Sequence, residues 1–216
     1  MRFFFDYISP YAYVGWHEAL KVAAAYRRTL TPEPVVFAAI LNALGQKGPA
    51  EIPAKRVYTF KDALRKAHRA GLPLEPPPSH PFNPLVALRA TLLVPDSQRH
   101  RAVTALYHAT WGGGDRPHGV ETEEAVRLAL DGAGFDGAEL VRRTTDPAVK
   151  AELKARTAAA IELGVFGVPT IEAEGELFFG VDGLAFLPAF LEGRDPVPAD
   201  AAARWADLPS SANRVR

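Results

Sequence analysis

The chain has 216 residues, 48% of them hydrophobic, and its 25 basic and 25 acidic side chains cancel to a net charge of zero. Neutrality argues against a general binder of nucleic acids or anionic membranes, because such proteins need a concentrated basic face. The chain has no cysteine, which excludes disulfides, thiolate metal sites, cysteine nucleophiles and dithiol redox chemistry.

The start of the chain lacks the pattern of a secretory leader. The apolar run Phe3-Phe4-Phe5 is too short for the apolar region of a signal peptide, and Asp6 interrupts it. The sequence contains no stretch of about 18 apolar residues that would span a membrane. We therefore expect a cytoplasmic protein that makes no membrane contact.

The N-terminal segment predicts a β–α–β unit. Residues 3–7 are rich in aromatic side chains, which is typical of a buried strand. Ser9 and Pro10 are the preferred start of a helix, because serine caps orphan N–H groups and proline has none to leave unpaired. We expect this helix over residues 10–28. A Val-Val-Phe run within residues 34–39 predicts a second strand, parallel to the first.

The middle of the chain predicts helices and no strand. Acidic residues around Thr122 suit a helix start, because they complement the helix dipole, and Asp146-Pro147 is another preferred start. Gly164 suits a helix end. The predicted helices span residues 55–70, 85–94, 97–111, 122–133, 136–144 and 146–163.

The C-terminal part returns to strands. Residues 169–172 and 176–179 flank Gly175 and predict a hairpin. Asp182 is expected to cap a final helix over residues 183–191, followed by a loosely packed tail.

This order of elements predicts an α/β protein with a thioredoxin-like sheet, built from βαβ and ββα halves, and a large all-helical insertion. We expect a discontinuous thioredoxin-like domain over residues 1–52 and 164–193. The helical insertion would span residues 53–163, and the tail residues 194–216. A generic α/β domain is the alternative.

Ser9 is the first candidate functional residue. A serine between a strand and a helix is most often only the helix cap. In thioredoxin-like folds, however, the reactive group lies at this helix N-terminus, where unpaired N–H groups and the helix dipole favour an anion. The Ser9 hydroxyl can donate a hydrogen bond to a bound thiolate while its lone pairs serve the cap.

The Val168-Pro169 step and Asp182 are the next candidates. Thioredoxin-like folds place a cis proline beside the active helix, so we predict a cis bond here instead of an ordinary trans linker. A cis turn would leave the N–H and C=O of Val168 free to pair with a short extended peptide. Asp182, besides starting a helix, can hold an ammonium group, and the helix N–H groups can hold a carboxylate beside it.

Several strings together resemble a known family, the 2-hydroxychromene-2-carboxylate isomerases and the related kappa-class glutathione transferases. They are Phe-Asp-Tyr-x-Ser-Pro-Tyr-x-Tyr at residues 5–13, Phe-Gly-Val-Pro-Thr at 166–170 and Phe-Phe-Gly-x-Asp-Gly-Leu at 178–184. Residues 45–56 and 79–85 also look like family sequence. The resemblance covers about residues 2–192, and the order and spacing of the motifs make it specific.

The resemblance implies glutathione as a cofactor, a homodimer, and a serine that assists the glutathione thiolate. By motif, Ser9 would be that serine. Val168 and Pro169 would bind the peptide backbone of glutathione, and Asp182 and Gly183 its γ-glutamyl end. One departure is Gly183, where many relatives carry arginine. This departure affects the polar contacts expected around the γ-glutamyl end but not the assignment of Asp182.

Further candidates for ligand binding are one lysine and a set of aromatic side chains. Lys55 would supply a positive charge for the glycyl carboxylate of glutathione or for an anionic substrate, although a helix lysine is usually solvated. Four aromatic side chains and one histidine would contact a small aromatic substrate, although each aromatic also suits core packing. They are Tyr7, Tyr11, His80, Phe82 and Trp111. His80 is otherwise a structural or solvated loop residue.

The remaining histidines do not predict a metal site. They show no HxH or HExxH spacing with acidic partners. They are His17, His68, His100, His108 and His118.

The resemblance implies an isomerase in which the glutathione thiolate adds reversibly to a conjugated chromene carboxylate and leaves unchanged. Two alternatives stay open. One is a transferase or peroxidase that consumes glutathione. The other is a non-catalytic binding protein on a thioredoxin-like frame.

Overall fold

The computed structural model describes residues 1–114, 119–198, 200–209 and 211. Its strands are β1 (Arg2–Phe5), β2 (Thr31–Pro34), β3 (Thr170–Ala173) and β4 (Glu176–Phe179). Its helices are α1 (Pro10–Ala25), α2 (Phe37–Ala43), α3 (Pro53–Ala70), α4 (Leu85–Leu93), α5 (Asp96–Trp111), α6 (Glu123–Gly132), α7 (Gly137–Arg143), α8 (Pro147–Glu162), α9 (Gly180–Leu184), α10 (Leu187–Leu191) and α11 (Ala201–Ala206), with a 3₁₀ turn at Pro49–Glu51. None of the described helices is long and apolar enough to cross a membrane.

The strands form one mixed sheet in the order β2-β1-β3-β4. β1 and β2 are parallel, whereas β1 pairs with β3, and β3 with β4, in antiparallel register. The hairpin between β3 and β4 turns at Glu174 and Gly175, both with positive φ, as a tight turn between twisted strands requires. The α/β thioredoxin-like arrangement predicted from the sequence is confirmed, with α3 to α8 inserted between its two halves.

The second strand lies earlier in the chain than predicted. β2 pairs Thr31 with Arg2 and Pro34 with Phe5, and the predicted strand at residues 34–39 instead begins α2. Its prolines are tolerated because β2 is an edge strand. At the start of α2 the Asp6 carboxylate accepts a hydrogen bond from the Phe37 N–H at 3.0 Å, which satisfies one of the unpaired donors of this helix end.

The final helix is divided, which corrects two further expectations. α9 ends at Leu184 and α10 begins at Leu187, where the predicted helix would have run without a break over residues 183–191. Pro188 lacks the N–H that a continuous helix would need at that position. Asp182 lies in the first turn of α9, and the N-cap residue is Phe179.

One buried cluster joins the sheet to the inserted helices. The Phe5 and Tyr7 rings lie 5.3 Å apart, and Tyr7 lies 4.9 Å from Tyr107 on α5. These side chains are fully buried. The inserted helices therefore support the β1–α1 turn directly, while the predicted domain boundaries stay a prediction.

Candidate active site

Ser9 lies between β1 and α1 and caps the helix. Its Oγ accepts a hydrogen bond from the Ala12 N–H at 3.2 Å, and Pro10 occupies the first turn. The Tyr11 N–H has no hydrogen-bond partner among the described residues. One orphan donor of α1 therefore stays available beside the Ser9 hydroxyl.

The Val168–Pro169 bond is cis, as the sequence predicts. The Ser9 Oγ lies 3.5 Å from the Val168 carbonyl oxygen, which is long for a hydrogen bond. Within the described ranges the Val168 N–H has no partner, whereas the Pro169 carbonyl accepts from the Gly180 N–H at 2.8 Å. The turn therefore places a free backbone donor and a weakly bonded acceptor next to Ser9.

Gly15 allows α1 to approach this turn closely. A Cβ at Gly15 would lie 2.9 Å from Pro169 Cγ, so Pro169 would have to move. We expect Gly15→Val to lower the free energy of unfolding by about 1–2 kcal/mol through overpacking, measured by urea denaturation. Ala24→Val, on the exposed side of α1, is the matched control and should cost less than about 1 kcal/mol. Equal losses in the two variants would show that the close contact is unimportant.

Asp6 holds the turn that leads to Ser9. Its carboxylate accepts hydrogen bonds from the N–H groups of Ile8 at 3.1 Å and Phe37 at 3.0 Å, and its carbonyl accepts from the Ser9 N–H at 3.1 Å. Burial raises the pKa of Asp6 to about 7, against the lowering effect of these two backbone bonds to the carboxylate. Asp6 is thus a positioning residue, a role that the sequence analysis did not assign.

A second polar group joins α3 to α1 and α9 through side chains. The Lys66 Nζ lies 2.9 Å from Asp62 Oδ2 and 3.3 Å from Asp182 Oδ1. The Tyr11 hydroxyl donates to Asp62 Oδ2 at 2.9 Å. We call Tyr11, Asp62, Lys66 and Asp182 the carboxylate–lysine cluster. Tyr11, two residues after Ser9, links this cluster to the start of α1.

Burial and the neighbouring charges shift the pKa values of Asp62, Lys66 and Tyr11. Burial acts to raise the pKa of Asp62, but hydrogen bonds from Lys66 and Tyr11 outweigh it and lower that pKa. Burial acts to lower the pKa of Lys66, but the two carboxylates raise it above its ordinary value. Burial first, and then the bond to Asp62, raises the pKa of Tyr11. Lys66 is therefore an ammonium and Asp62 a carboxylate at neutral pH.

Tyr11 and Asp182 are candidates on sequence alone, whereas Asp62 and Lys66 are recognised only in the structure. In the sequence, Asp62 and Lys66 are visible only as two opposite charges four residues apart on a predicted helix. Such a pair is ordinarily a solvated surface contact, so the sequence did not distinguish it from many others.

His80 packs behind the turn. Its Nε2 lies 2.9 Å from the Ile8 carbonyl oxygen, and its ring meets the Phe60 and Trp111 rings edge-on. Burial lowers the pKa of His80, so the neutral ring donates to Ile8 and its Nδ1 stays a buried acceptor without a partner among the described residues. The His80–Pro81 bond is also cis, which was not predicted.

Two residues predicted to contact substrate are instead core residues. Tyr7 and Trp111 are fully buried. The Tyr7 hydroxyl lies 2.7 Å from Thr91 Oγ1, and the Trp111 indole N–H donates to the Tyr7 carbonyl at 2.8 Å. The Tyr7 hydroxyl and the Trp111 indole N–H both have hydrogen-bond partners inside the protein. These rings are therefore enclosed and cannot touch a ligand in this structure.

The remaining candidates differ in exposure. Phe82 is 9% exposed, whereas Lys55 is exposed in the first turn of α3. A Cβ at Gly183 would lie 3.2 Å from the Phe178 carbonyl carbon, so a larger residue there would press on that backbone. No group of three or more His, Asp or Glu side chains in the described ranges is arranged to hold a metal ion, and His118 lies outside those ranges.

Comparisons with known proteins show which family the chain belongs to. A family model for the DsbA-like thioredoxin domain matches residues 1–192. A 2-hydroxychromene-2-carboxylate isomerase of Sphingobium xenophagum is 30% identical, over 88% of this chain and 96% of its own. Glutathione S-transferase kappa 1 of Homo sapiens is 23% identical, over 94% and 96% of the two chains.

A solved structure supports the same relationship. The structure of a selenomethionine 2-hydroxychromene-2-carboxylate isomerase superimposes with a TM-score of 0.79 at 26% identity. The match covers 97% of this chain and 98% of that one. This protein therefore belongs to the DsbA-like thioredoxin-domain family, together with 2-hydroxychromene-2-carboxylate isomerases and kappa-class glutathione transferases.

Proposed function

We propose that this protein binds glutathione and uses it as a cofactor to isomerise a conjugated aromatic carboxylate of the chromene type. The observation that carries the proposal is the Ser9 hydroxyl, 3.5 Å from the Val168 carbonyl and beside a free Val168 N–H. Relatives named 2-hydroxychromene-2-carboxylate isomerase support the reaction, and relatives named glutathione S-transferase kappa support the cofactor.

The residues present fit a short thiol-containing peptide. The Val168 N–H is free to pair with an extended backbone, as an added strand would. The Asp182 side chain is 79% exposed and can receive an ammonium group. The long bond from Ser9 to Val168 leaves the hydroxyl proton free to turn toward a better acceptor.

Bound glutathione would supply a thiolate that acts as a transient nucleophile toward a conjugated double bond and is regenerated at the end. Ser9 would donate a hydrogen bond from its hydroxyl to the sulfur, while its oxygen still accepts the hydrogen bond from the Ala12 N–H. The free Tyr11 N–H and the positive end of α1 would favour the negative charge. Asp6 and His80 would hold the turn that positions Ser9.

A second function is favoured by the kappa-class relatives, namely a transferase or peroxidase that consumes glutathione. It would use the same residues, so stoichiometry separates the two. Incubation with 2-hydroxychromene-2-carboxylate should return all the glutathione if the protein is an isomerase. Loss of glutathione in step with turnover would favour the alternative.

The binding site itself is tested by calorimetry with glutathione. We expect the wild type to bind in the micromolar-to-millimolar range and Asp182→Asn to bind about tenfold more weakly, because a partner for the ligand ammonium is lost. Glu123→Gln, an exposed carboxylate at the start of α6, is the control and should bind like the wild type. No detectable binding by the wild type would overturn the proposed cofactor and leave the fold assignment intact.

The resemblance also leads us to propose a homodimer. Light scattering after size-exclusion chromatography would measure the mass in solution. The cytoplasmic location stays a prediction of the sequence analysis.

A further inference from the structure

We infer that Lys66 is a specificity-determining residue, which binds the α-carboxylate of the γ-glutamyl group while Asp182 binds the neighbouring ammonium. The inference rests on the proposed function and adds the recognition of a zwitterionic end. Lys66 and Asp182 lie 3.3 Å apart and carry opposite charges. The α-ammonium and α-carboxylate of an amino acid are attached to one carbon and also carry opposite charges. The ammonium can therefore pair with Asp182 while the carboxylate pairs with Lys66.

Lys66 is held in place from the protein side. Its Nζ bonds Asp62 at 2.9 Å, and Asp62 in turn accepts the Tyr11 hydroxyl. An ammonium has three donors, and the two carboxylates of the carboxylate–lysine cluster use two of them. Within the part of the chain that the structure describes, no further acceptor bonds the Nζ, so the third donor can serve a ligand carboxylate from a position fixed before the ligand arrives.

The exposure of the two partners differs strongly. The Lys66 side chain is 15% exposed and the Asp182 side chain 79%. A solvated surface ion pair would expose both partners and contribute little. Here a largely enclosed cation lies 3.3 Å from an open carboxylate, so a ligand group bound at Asp182 would lie close to the Lys66 charge.

No neighbouring group on α9 can replace this cation. α9 has five residues, too few for the helix dipole to provide the carboxylate site that was expected from its N–H groups. Gly183 carries no side chain, and a Cβ there would press on the Phe178 backbone at 3.2 Å. A lysine reaching across from α3 supplies the positive charge without occupying position 183.

The experiment compares two variants and two ligands by calorimetry. Glutathione carries both charges of the γ-glutamyl end, whereas 4-aminobutyryl-cysteinyl-glycine keeps the ammonium and lacks the α-carboxylate. We expect Lys66→Met to bind glutathione about tenfold more weakly and to bind the 4-aminobutyryl peptide as the wild type does. Lys61→Met removes an exposed lysine from the same helix and should bind both ligands as the wild type does.

Lys66→Arg keeps the positive charge and guards against a folding defect. It should retain most of the affinity for glutathione. An equal loss for both ligands in Lys66→Met would overturn the inference, since Lys66 would then act on Asp182 or on the fold alone. Full affinity for both ligands would also overturn it while leaving the proposed function standing. Failure of the wild type to bind glutathione would instead overturn the proposed function itself.

Discussion

Ser9→Ala should raise the pKa of the bound glutathione thiol by about 1–2 units and lower turnover of 2-hydroxychromene-2-carboxylate by about 10–100-fold. A hydrogen bond to a charged acceptor contributes about 1.5–3 kcal/mol, and each pKa unit corresponds to about 1.4 kcal/mol. The remaining Tyr11 N–H and the α1 dipole would leave some stabilisation of the thiolate. The ultraviolet absorbance of the bound thiolate, followed against pH, measures the first effect directly.

The variant also removes a helix cap, so its control must do the same elsewhere. Thr122 caps α6 by accepting a hydrogen bond from the Ala125 N–H at 3.1 Å. Both Ser9→Ala and Thr122→Ala should lose about 1 kcal/mol of stability. Only Ser9→Ala should change the thiol pKa and the turnover. An unchanged thiol pKa in Ser9→Ala would rule out the proposed hydrogen bond to sulfur.

Asp6 should make the stability of the protein depend on pH. Its pKa rises from 3.8 in the unfolded chain to about 7 in the fold, so the folded state binds the extra proton between these values. The contribution of this proton to the free energy of unfolding is at its maximum below about pH 4. It declines as the pH rises toward 7 and does not change further above that. Between about pH 5 and about pH 7.5 the decline should be about 2–3 kcal/mol.

Asp6→Asn isolates this contribution. The amide is neutral at every pH, although its NH₂ would face a backbone N–H at a cost of about 1–3 kcal/mol. Burial lowers the pKa values of His17 and His80, which changes stability in the opposite direction, but equally in both proteins. In urea denaturation, the stability of the wild type relative to the variant should therefore fall by about 2–3 kcal/mol as the pH rises from about 5 to about 7.5. Parallel pH curves for the two proteins would contradict the raised pKa.

Local features of the sequence were enough to predict much of this protein. The Ser9 cap, the hairpin at Gly175 and the bounds of the inserted helices depend on residues close together in the chain. Capping, turn chemistry and hydrophobic periodicity are properties of such short segments. The motifs that indicated the family are also short segments, so they could be recognised in the sequence alone.

Contacts between distant segments decided the rest. β2 took its register from β1, so a proline-containing segment became the strand and the Val-Val-Phe run led into a helix. Burial turned Tyr7 and Trp111 from candidate ligand contacts into core residues. The pairing of Lys66 with Asp182 exists because α3 and α9 both pack against α1. Sequence spacing does not encode which helix faces meet, because packing of the whole chain selects them.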